Sequence, residues 1–367
     1  MSSPPPEPGS GKMGKPVGEQ AAALAKRLRA ELELYPAGRR FLSHGEIRKR
    51  FGANLRVVMA ALELLRAEGA LELRERIGSF SRLSARERKP VILFFHHDYP
   101  SAFHADWLRA LREQEERTGA FRLLPHPYDY QRNDFTGCSL EAADAVILGG
   151  ATRNWSEREY RWLLTLRPPV LLCGDGFEND RISYLTQQEY MNGILAARHF
   201  LERGHRRLAM LRSMPPRQCS RRRADSFRQE AAFGGAAVEM LDCHAENGEY
   251  PPECAAELLD ARLNRAPCDF TGLLIDTAGA APGVLEALHA HGLNIPGDLS
   301  CIVIDNLTQL DRSNPPLTAV GVDFTELAEC MVHHLLDRIH GRCAPAVLEL
   351  APRLFDRGSV RKIREFL

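Results

Sequence analysis

Short apolar runs alternate with helical patterns over most of this chain, but its first eighty or so residues keep a different rhythm. From Val17 to Leu34 apolar residues recur at Ala21, Leu24, Leu28 and Leu32, the spacing of one helix face. Ser43 and Glu46 then stand three apart, as in a capping box, where each side chain satisfies a free amide at a helix start. Phe51-Gly52-Ala53-Asn54 breaks that helix and offers Asn54 as the cap of the next. There Val58, Ala61, Leu62 and Leu65 form an apolar stripe, which Gly69 ends. Leu71-Glu72-Leu73-Arg74 and Ser79-Phe80-Ser81 alternate around Glu75 to Gly78, which predicts a two-stranded hairpin. Two short helices meeting at a tight turn, with a hairpin wing behind them, form a shape that binds DNA.

Past Pro90 the pattern changes. Val91 to Phe95, Ala145 to Leu148, Val170 to Cys173, Leu208 to Leu211, Leu273 to Ile275 and Cys301 to Ile304 read as buried strands. Helices are expected over Ala105 to Glu116, Glu189 to Arg203 and Gly283 to His291. Strands alternating with helices predict parallel, doubly wound sheets. Roughly 270 residues are too many for one such compact domain, so two lobes with a cleft are expected, with a ligand at the carboxyl ends of the strands. The expected fold is α/β: an N-terminal winged helix-turn-helix domain over 17–82, a charged linker over 83–90, and a two-lobed parallel-sheet domain over 91–361.

Charge sharpens this division. The net charge is zero, yet residues 1–90 hold 18 Lys and Arg against 10 Glu and no Asp, and the remainder holds 30 basic against 38 acidic residues. A basic head suits phosphates, and an acidic body does not. Residues 1–16 are rich in Pro, Gly and Ser without an apolar core segment, so a disordered tail is expected rather than a signal peptide. No apolar run reaches the length of a bilayer, and the nine cysteines are scattered without a C-x-x-C pair. A cytoplasmic, reducing location with no membrane partner is expected.

Other chemistries are weakly supported. His96 and His97 are adjacent on a strand and point to opposite faces, and His333 and His334 diverge on a helix, so neither pair makes a metal site. Gly149-Gly150 and Gly234-Gly235 lack a phosphate-binding fingerprint, and no nucleophile stands with a base and an orienting group. Neither catalysis nor a metal nor a cofactor is expected.

Two family resemblances add to this reading. Phe41-Leu42-Ser43-x-x-Glu46-Ile47 through Phe51-Gly52, then Ala61-Leu62-x-x-Leu65-x-Ala67-Glu68-Gly69 and Gly78-Ser79-Phe80, resembles the GntR-type winged helix. The resemblance implies a second helix in the major groove, with Asn54, Leu55 and Arg56 facing bases and phosphates, and Ser43, Arg74, Arg76 and Gly78 completing the DNA face. Arg74 and Arg76 read equally as solvated charges. Gly45, Leu55 and Met59 stand where that family usually carries arginines, and none can make an arginine's bidentate contact with guanine. Either the operator differs from typical sites, which is the favoured reading, or the head is vestigial.

The body resembles the LacI-type sensor through Gly193-x-x-x-Ala197-x-x-Phe200-Leu201-x-x-Gly204-His205-Arg206-Arg207, Arg223-x-x-Ser226-Phe227, Gly292-Leu293-x-Ile295-Pro296-x-Asp298-Leu299-Ser300, Asp305-Asn306, Pro315-Pro316-Leu317-Thr318 and Arg357-x-Ser359. It implies lobes over 91–186 with 320–346 and over 187–319 with 347–361, joined by three crossovers, and a homodimer. A head of one type on a sensor of the other is similar to AraR-like regulators. By this resemblance Arg223 and Asp305 are ligand-binding, although Arg223 also reads as a solvated charge and Asp305 as a loop cap. Asp98, Asp175, Phe103 and Tyr250 are weaker candidates, the two aromatics reading equally as packing. Asp276-Thr277-Ala278 replaces the family's Asn-Asp with Thr277 and Ala278, so a carboxylate is shifted or lost, and Asp276 and Thr277 join the candidates. The expected function is a repressor that binds a double-stranded DNA operator under the control of a small molecule, a sugar being the expected class. The alternative is a ligand- or protein-binding module with a vestigial head.

Overall fold

The computed structural model describes residues 16–35, 37–83, 89–98, 101–129, 140, 143–149, 156–174, 181–246, 249 and 251–363. They form two compact units, the first running to Lys89 and including residues 140 and 143, the second holding the rest from Pro90. Residues 1–15 of the tail expected over 1–16 and residues 84–88 of the expected linker lie outside the described residues.

The first unit contains helices α1 (Val17–Leu32), α2 (His44–Phe51) and α3 (Leu55–Ala67), then strands β1 (Leu71–Arg74) and β2 (Gly78–Ser81). Ser43 Oγ accepts from the Glu46 amide at 3.3 Å while Glu46 Oε2 accepts from the Ser43 amide at 2.7 Å, which starts α2. Gly52, at φ 65°, ends it in the left-handed conformation that glycine adopts without strain. Asn54 Oδ1 then accepts from the Val57 amide at 2.9 Å and starts α3. The apolar stripes of the three helices meet in a core of Leu24, Leu28, Leu32, Ile47, Val58, Leu62 and Leu65. β1 and β2 pair antiparallel, with Leu71 opposite Ser81 and Arg74 opposite Gly78.

The second unit contains two six-stranded sheets. β3 (Val91–His97), α4 (Ala102–Thr118), β4 (Arg122–Tyr128), β5 (Ala145–Leu148), α5 (Glu157–Thr165), β6 (Val170–Cys173) and β7 (Ser183–Gln187) build the first lobe. α6 (Glu189–Glu202), β8 (Arg207–Arg212), α7 (Gln218–Phe233), β9 (Ala237–Asp242), α8 (Pro251–Arg265), β10 (Gly272–Ile275), α9 (Ala281–Ala290), β11 (Ser300–Ile304) and β12 (Thr318–Gly321) build the second. α10 (Phe324–Ile339) and β13 (Val347–Leu350) return to the first lobe, and β14 (Arg353–Phe355) closes the second. The sheet orders are β13-β7-β6-β5-β3-β4 and β14-β12-β11-β10-β8-β9, parallel throughout except for β14.

Three crossovers join the lobes, at β7 to α6, β12 to α10 and β13 to β14. Two of the expected lobe boundaries are corrected. Thr318–Gly321 pairs with β11, so the chain leaves the second lobe after Gly321 rather than at 320. Val347–Leu350 pairs with β7, so the return falls between 350 and 353 rather than at 347. Central strands such as Ala145–Leu148 and Ser300–Ile304 are buried on both faces, which explains their continuous apolar runs.

Candidate functional site

The carboxyl ends of the second-lobe strands hold a buried charged cluster. Arg223, within α7, has a side chain only 12% exposed. Its Nε and Nη2 donate to the two carboxylate oxygens of Glu189 at 2.5 and 3.1 Å, the bidentate fork that a planar guanidinium favours. Nη1 donates to the Asp276 carbonyl at 3.2 Å, and Nη2 lies 3.8 Å from Asp305 Oδ1. Burial opposes the charge on Arg223, but Glu189 and Asp305 outweigh it and hold the guanidinium firmly protonated.

Asp305 follows β11 with φ 75°, a strained conformation for a residue with a side chain. Gly321 on the neighbouring strand makes room for it: a Cβ there would lie 3.1 Å from Asp305 Cα and 2.9 Å from the Asn306 amide nitrogen. Burial pushes the Asp305 carboxyl up to about 6, against the pull of Arg223. Thr277 Oγ1 donates to Asp305 Oδ2 at 3.4 Å and accepts from the Gly279 amide at 3.4 Å. Asp276 is turned elsewhere. Its carboxylate accepts from the Ser213 amide at 3.1 Å, the Ser213 hydroxyl at 2.9 Å and the Met214 amide at 3.3 Å, and burial raises its pKa. It therefore fixes the loop after β8, and only its carbonyl reaches Arg223.

The structure thus brings Arg223, Asp305, Thr277 and Asp276 together and adds Glu189, which sequence reasoning missed. An acidic residue in the first turn of a helix reads as favourable to the helix dipole and so gives no further signal. On the first lobe, Asp98 follows β3 with an exposed side chain, and its amide donates to the Tyr128 carbonyl at 3.1 Å. Phe103 packs edge-on against Trp107 and Phe324, with centroids 5.6 and 5.3 Å away. The candidates Asp175 and Tyr250 lie outside the described residues.

On the first unit the DNA candidates divide by what already holds them. The oxygens of Ser43 and Asn54 are engaged as helix caps. Arg74 donates to Glu72 at 2.9 Å and lies over the Phe80 ring at 4.3 Å. Gly78, at φ 131°, lies against the Arg40 guanidinium; a Cβ would stand 3.2 Å from Arg40 Nε. Leu55 is exposed, and Arg56 and Arg76 are exposed without an ion-pair partner among the described residues. Arg48 and Lys49 at the end of α2 are likewise exposed and without an ion-pair partner among the described residues, although the sequence reading did not include them.

Comparison with known proteins first defines the class of the second unit. Residues 197–360 match the family model described as a periplasmic binding protein-like domain. A LacI family transcriptional regulator from Enterococcus faecium with bound ribose superposes with a TM-score of 0.63 at 18% identity, covering 75% of this chain and 100% of that one. A LacI family regulator from Arthrobacter sp. FB24 in complex with lactose gives 0.61 at 19% identity, covering 74% and 99%. The second unit therefore has the two-lobed fold of periplasmic-binding-protein-like, LacI-type sensors.

Particular relatives follow. The chain is 28% identical over 180 residues to the HTH-type transcriptional repressor PurR of Glaesserella parasuis serovar 5, covering 47% of this chain and 52% of that protein. It is 28% identical over 203 residues to the PurR repressor of Escherichia coli O139:H28, covering 55% and 58%. The chain thus spans between half and three-fifths of the length of these curated relatives. Their names correct one expectation: the kinship these matches support is with PurR and LacI-family regulators, not with GntR-type or AraR-like ones.

Proposed function

We propose that this chain is a ligand-controlled transcriptional repressor, acting in the cytoplasm as a homodimer on double-stranded operator DNA. The observation that carries the reading is that one chain joins two unlike binding units. The first is a capped helix pair with a hairpin wing, with Arg48, Lys49, Arg56 and Arg76 unpaired among the described residues. The second is a periplasmic-binding-protein-like body with Arg223, Asp305 and Thr277 gathered at its strand ends. Carboxylates and guanidinium groups suit paired hydroxyls, so the effector class is a sugar. The ribose- and lactose-bound regulators of like fold support that class. The chain's task is binding rather than catalysis, and coupling arises because the effector favours one arrangement of the protein over another.

The test is a fluorescence-anisotropy titration of DNA flanking the chain's own gene, with and without sugars that raise the melting temperature of the protein. The expected result is binding that weakens steeply with salt and is relieved by one such sugar. A folded dimer that binds no DNA at low salt would favour a ligand- or protein-binding module with a vestigial head. Arg223→Lys should blunt the effector response while DNA affinity is kept.

A further inference from the structure

Helix α3 presents an apolar surface where a DNA-reading helix meets bases. Val57, Val58, Ala61, Leu62 and Leu65 are buried on one arc of the helix. On the adjoining arc Leu55 and Met59, one turn apart, are 44% and 53% exposed, with Arg56 beside them. Neither is covered within the first unit, and both lie in the amino-terminal half of the helix, just behind the Asn54 cap. Arg56 on α3, and Arg48 and Lys49 on the last turn of α2, are exposed and without an ion-pair partner among the described residues. The first acidic side chain along α3 is Glu63, which already pairs with Arg66 at 2.7 Å. An apolar pair on one helix, with an exposed arginine next in sequence and two exposed cations on the helix before it, matches the major groove, where phosphates flank the one apolar group that bases display, the thymine methyl.

We propose that Leu55 and Met59 read thymine 5-methyl groups, so that the operator half-site is built on A·T pairs under α3, with Arg56, Arg48 and Lys49 on the adjacent phosphates. This rests on the DNA-binding reading above and names its specificity. Burying a methyl against leucine or methionine is favourable. Placing the same side chains over a guanine edge strips O6 and N7 of water without offering a donor, so G·C pairs are rejected as well as A·T pairs accepted.

The experiment uses the full chain and begins with selection of bound sequences from random duplexes. Each thymine of the selected half-site is then replaced in turn by deoxyuracil, which removes only the methyl, and binding is read by anisotropy. At one or two positions the replacement should weaken binding about three- to five-fold. Leu55→Ala and Met59→Ala should each abolish that sensitivity at one position; both side chains are exposed, so folding is preserved. Selected sites with G·C pairs at the core, or deoxyuracil tolerated at every thymine, would overturn the methyl reading while leaving DNA binding intact. Failure to select any sequence would instead remove the DNA-binding reading itself. A Leu55→Ala chain with full DNA affinity and undiminished deoxyuracil sensitivity, but impaired self-association, would assign this face to a second copy of the chain and overturn the proposal.

Discussion

At Asp305 both backbone and charge are held away from their ordinary values, and each bears on ligand binding. The residue keeps φ 75° because the strand beside it offers only Gly321, and its carboxyl titrates near 6 because it is buried beside Glu189 and Asp276, with Arg223 in partial opposition. Sugar hydroxyls donate best to an ionised carboxylate, so effector affinity should hold above pH 7 and fall as the pH drops through 6. The limiting slope is about tenfold per unit below the pKa. Unfolding through this group is not the cause. The folded chain holds a proton that the unfolded chain releases at lower pH, so acidification between about 6 and 4 relieves a cost and stabilises the fold. Calorimetric titrations at pH 5, 6 and 7.5 check this, and a flat profile would show that the ligand does not touch the Asp305 carboxylate. The sequence pointed to Arg223 and Asp305 through motif position. It could not show that Arg223 is already gripped by Glu189, or that Asp276 faces Ser213, because the first pairing depends on two helices packing together and the second on loops meeting at the strand ends.

Among elements, the closest approach relevant to the site is that of α6 to α7, the helices that carry Glu189 and Arg223. Gly193 makes it: a Cβ there would fall 2.2 Å from Ser226 Oγ and 2.3 Å from the Arg223 carbonyl oxygen. Gly193→Ala must push the helices apart, which is expected to cost about 3 kcal/mol and to loosen the Arg223–Glu189 fork. Urea unfolding gives the first and effector affinity the second; full stability would mean that α7 shifts without strain. This glycine was visible in the sequence as the start of a motif, as were the central strands with their unbroken apolar runs. Edge strands were not, and neither were β7 and β12, the interior strands beside two of them. β4 contains Pro125 and Pro127, which read against a strand, yet two residues apart on an edge their nitrogens face away from β3 and no ladder bond is lost. β9 and β13 are likewise half-covered edges, and a strand with one solvated side shows no continuous apolar run. In the first unit Ser43→Ala should cost about 1 kcal/mol, because it removes half of the reciprocal cap that starts α2. A thermal melt of the full chain reads this as a lowered first transition.

For the molecule as a whole, regulation requires that the lobes of the second unit have more than one arrangement and that a ligand prefer one. One residue pair that ties those lobes lies beside the charged cluster. Asp106 on α4 accepts from the Thr308 amide at 2.7 Å and from its hydroxyl at 2.6 Å, and Thr308 stands in the loop after β11, three residues beyond Asp305. Asp106 is buried, and α4 is fixed to its own lobe through Trp107 Nε1, which donates to Met331 Sδ at 3.1 Å. The contact therefore links the loop of the charged cluster to the opposite lobe. Its partners lie 202 positions apart in the sequence, and nothing local marks either one. Thr308→Val removes the hydroxyl bond and keeps the backbone one, a loss of about 1 kcal/mol. Taken from the arrangement that encloses the cluster, that loss should weaken effector binding about five-fold, while the DNA affinity of the ligand-free protein is unchanged. Asp106→Ala also strands the Thr308 amide and should weaken effector binding further, with small-angle scattering showing a larger second unit. Equal effector affinity in both variants would mean that the bond persists in every arrangement of the lobes, and the bistable element would then lie elsewhere, at the three crossovers or at other lobe contacts such as Arg353–Glu326.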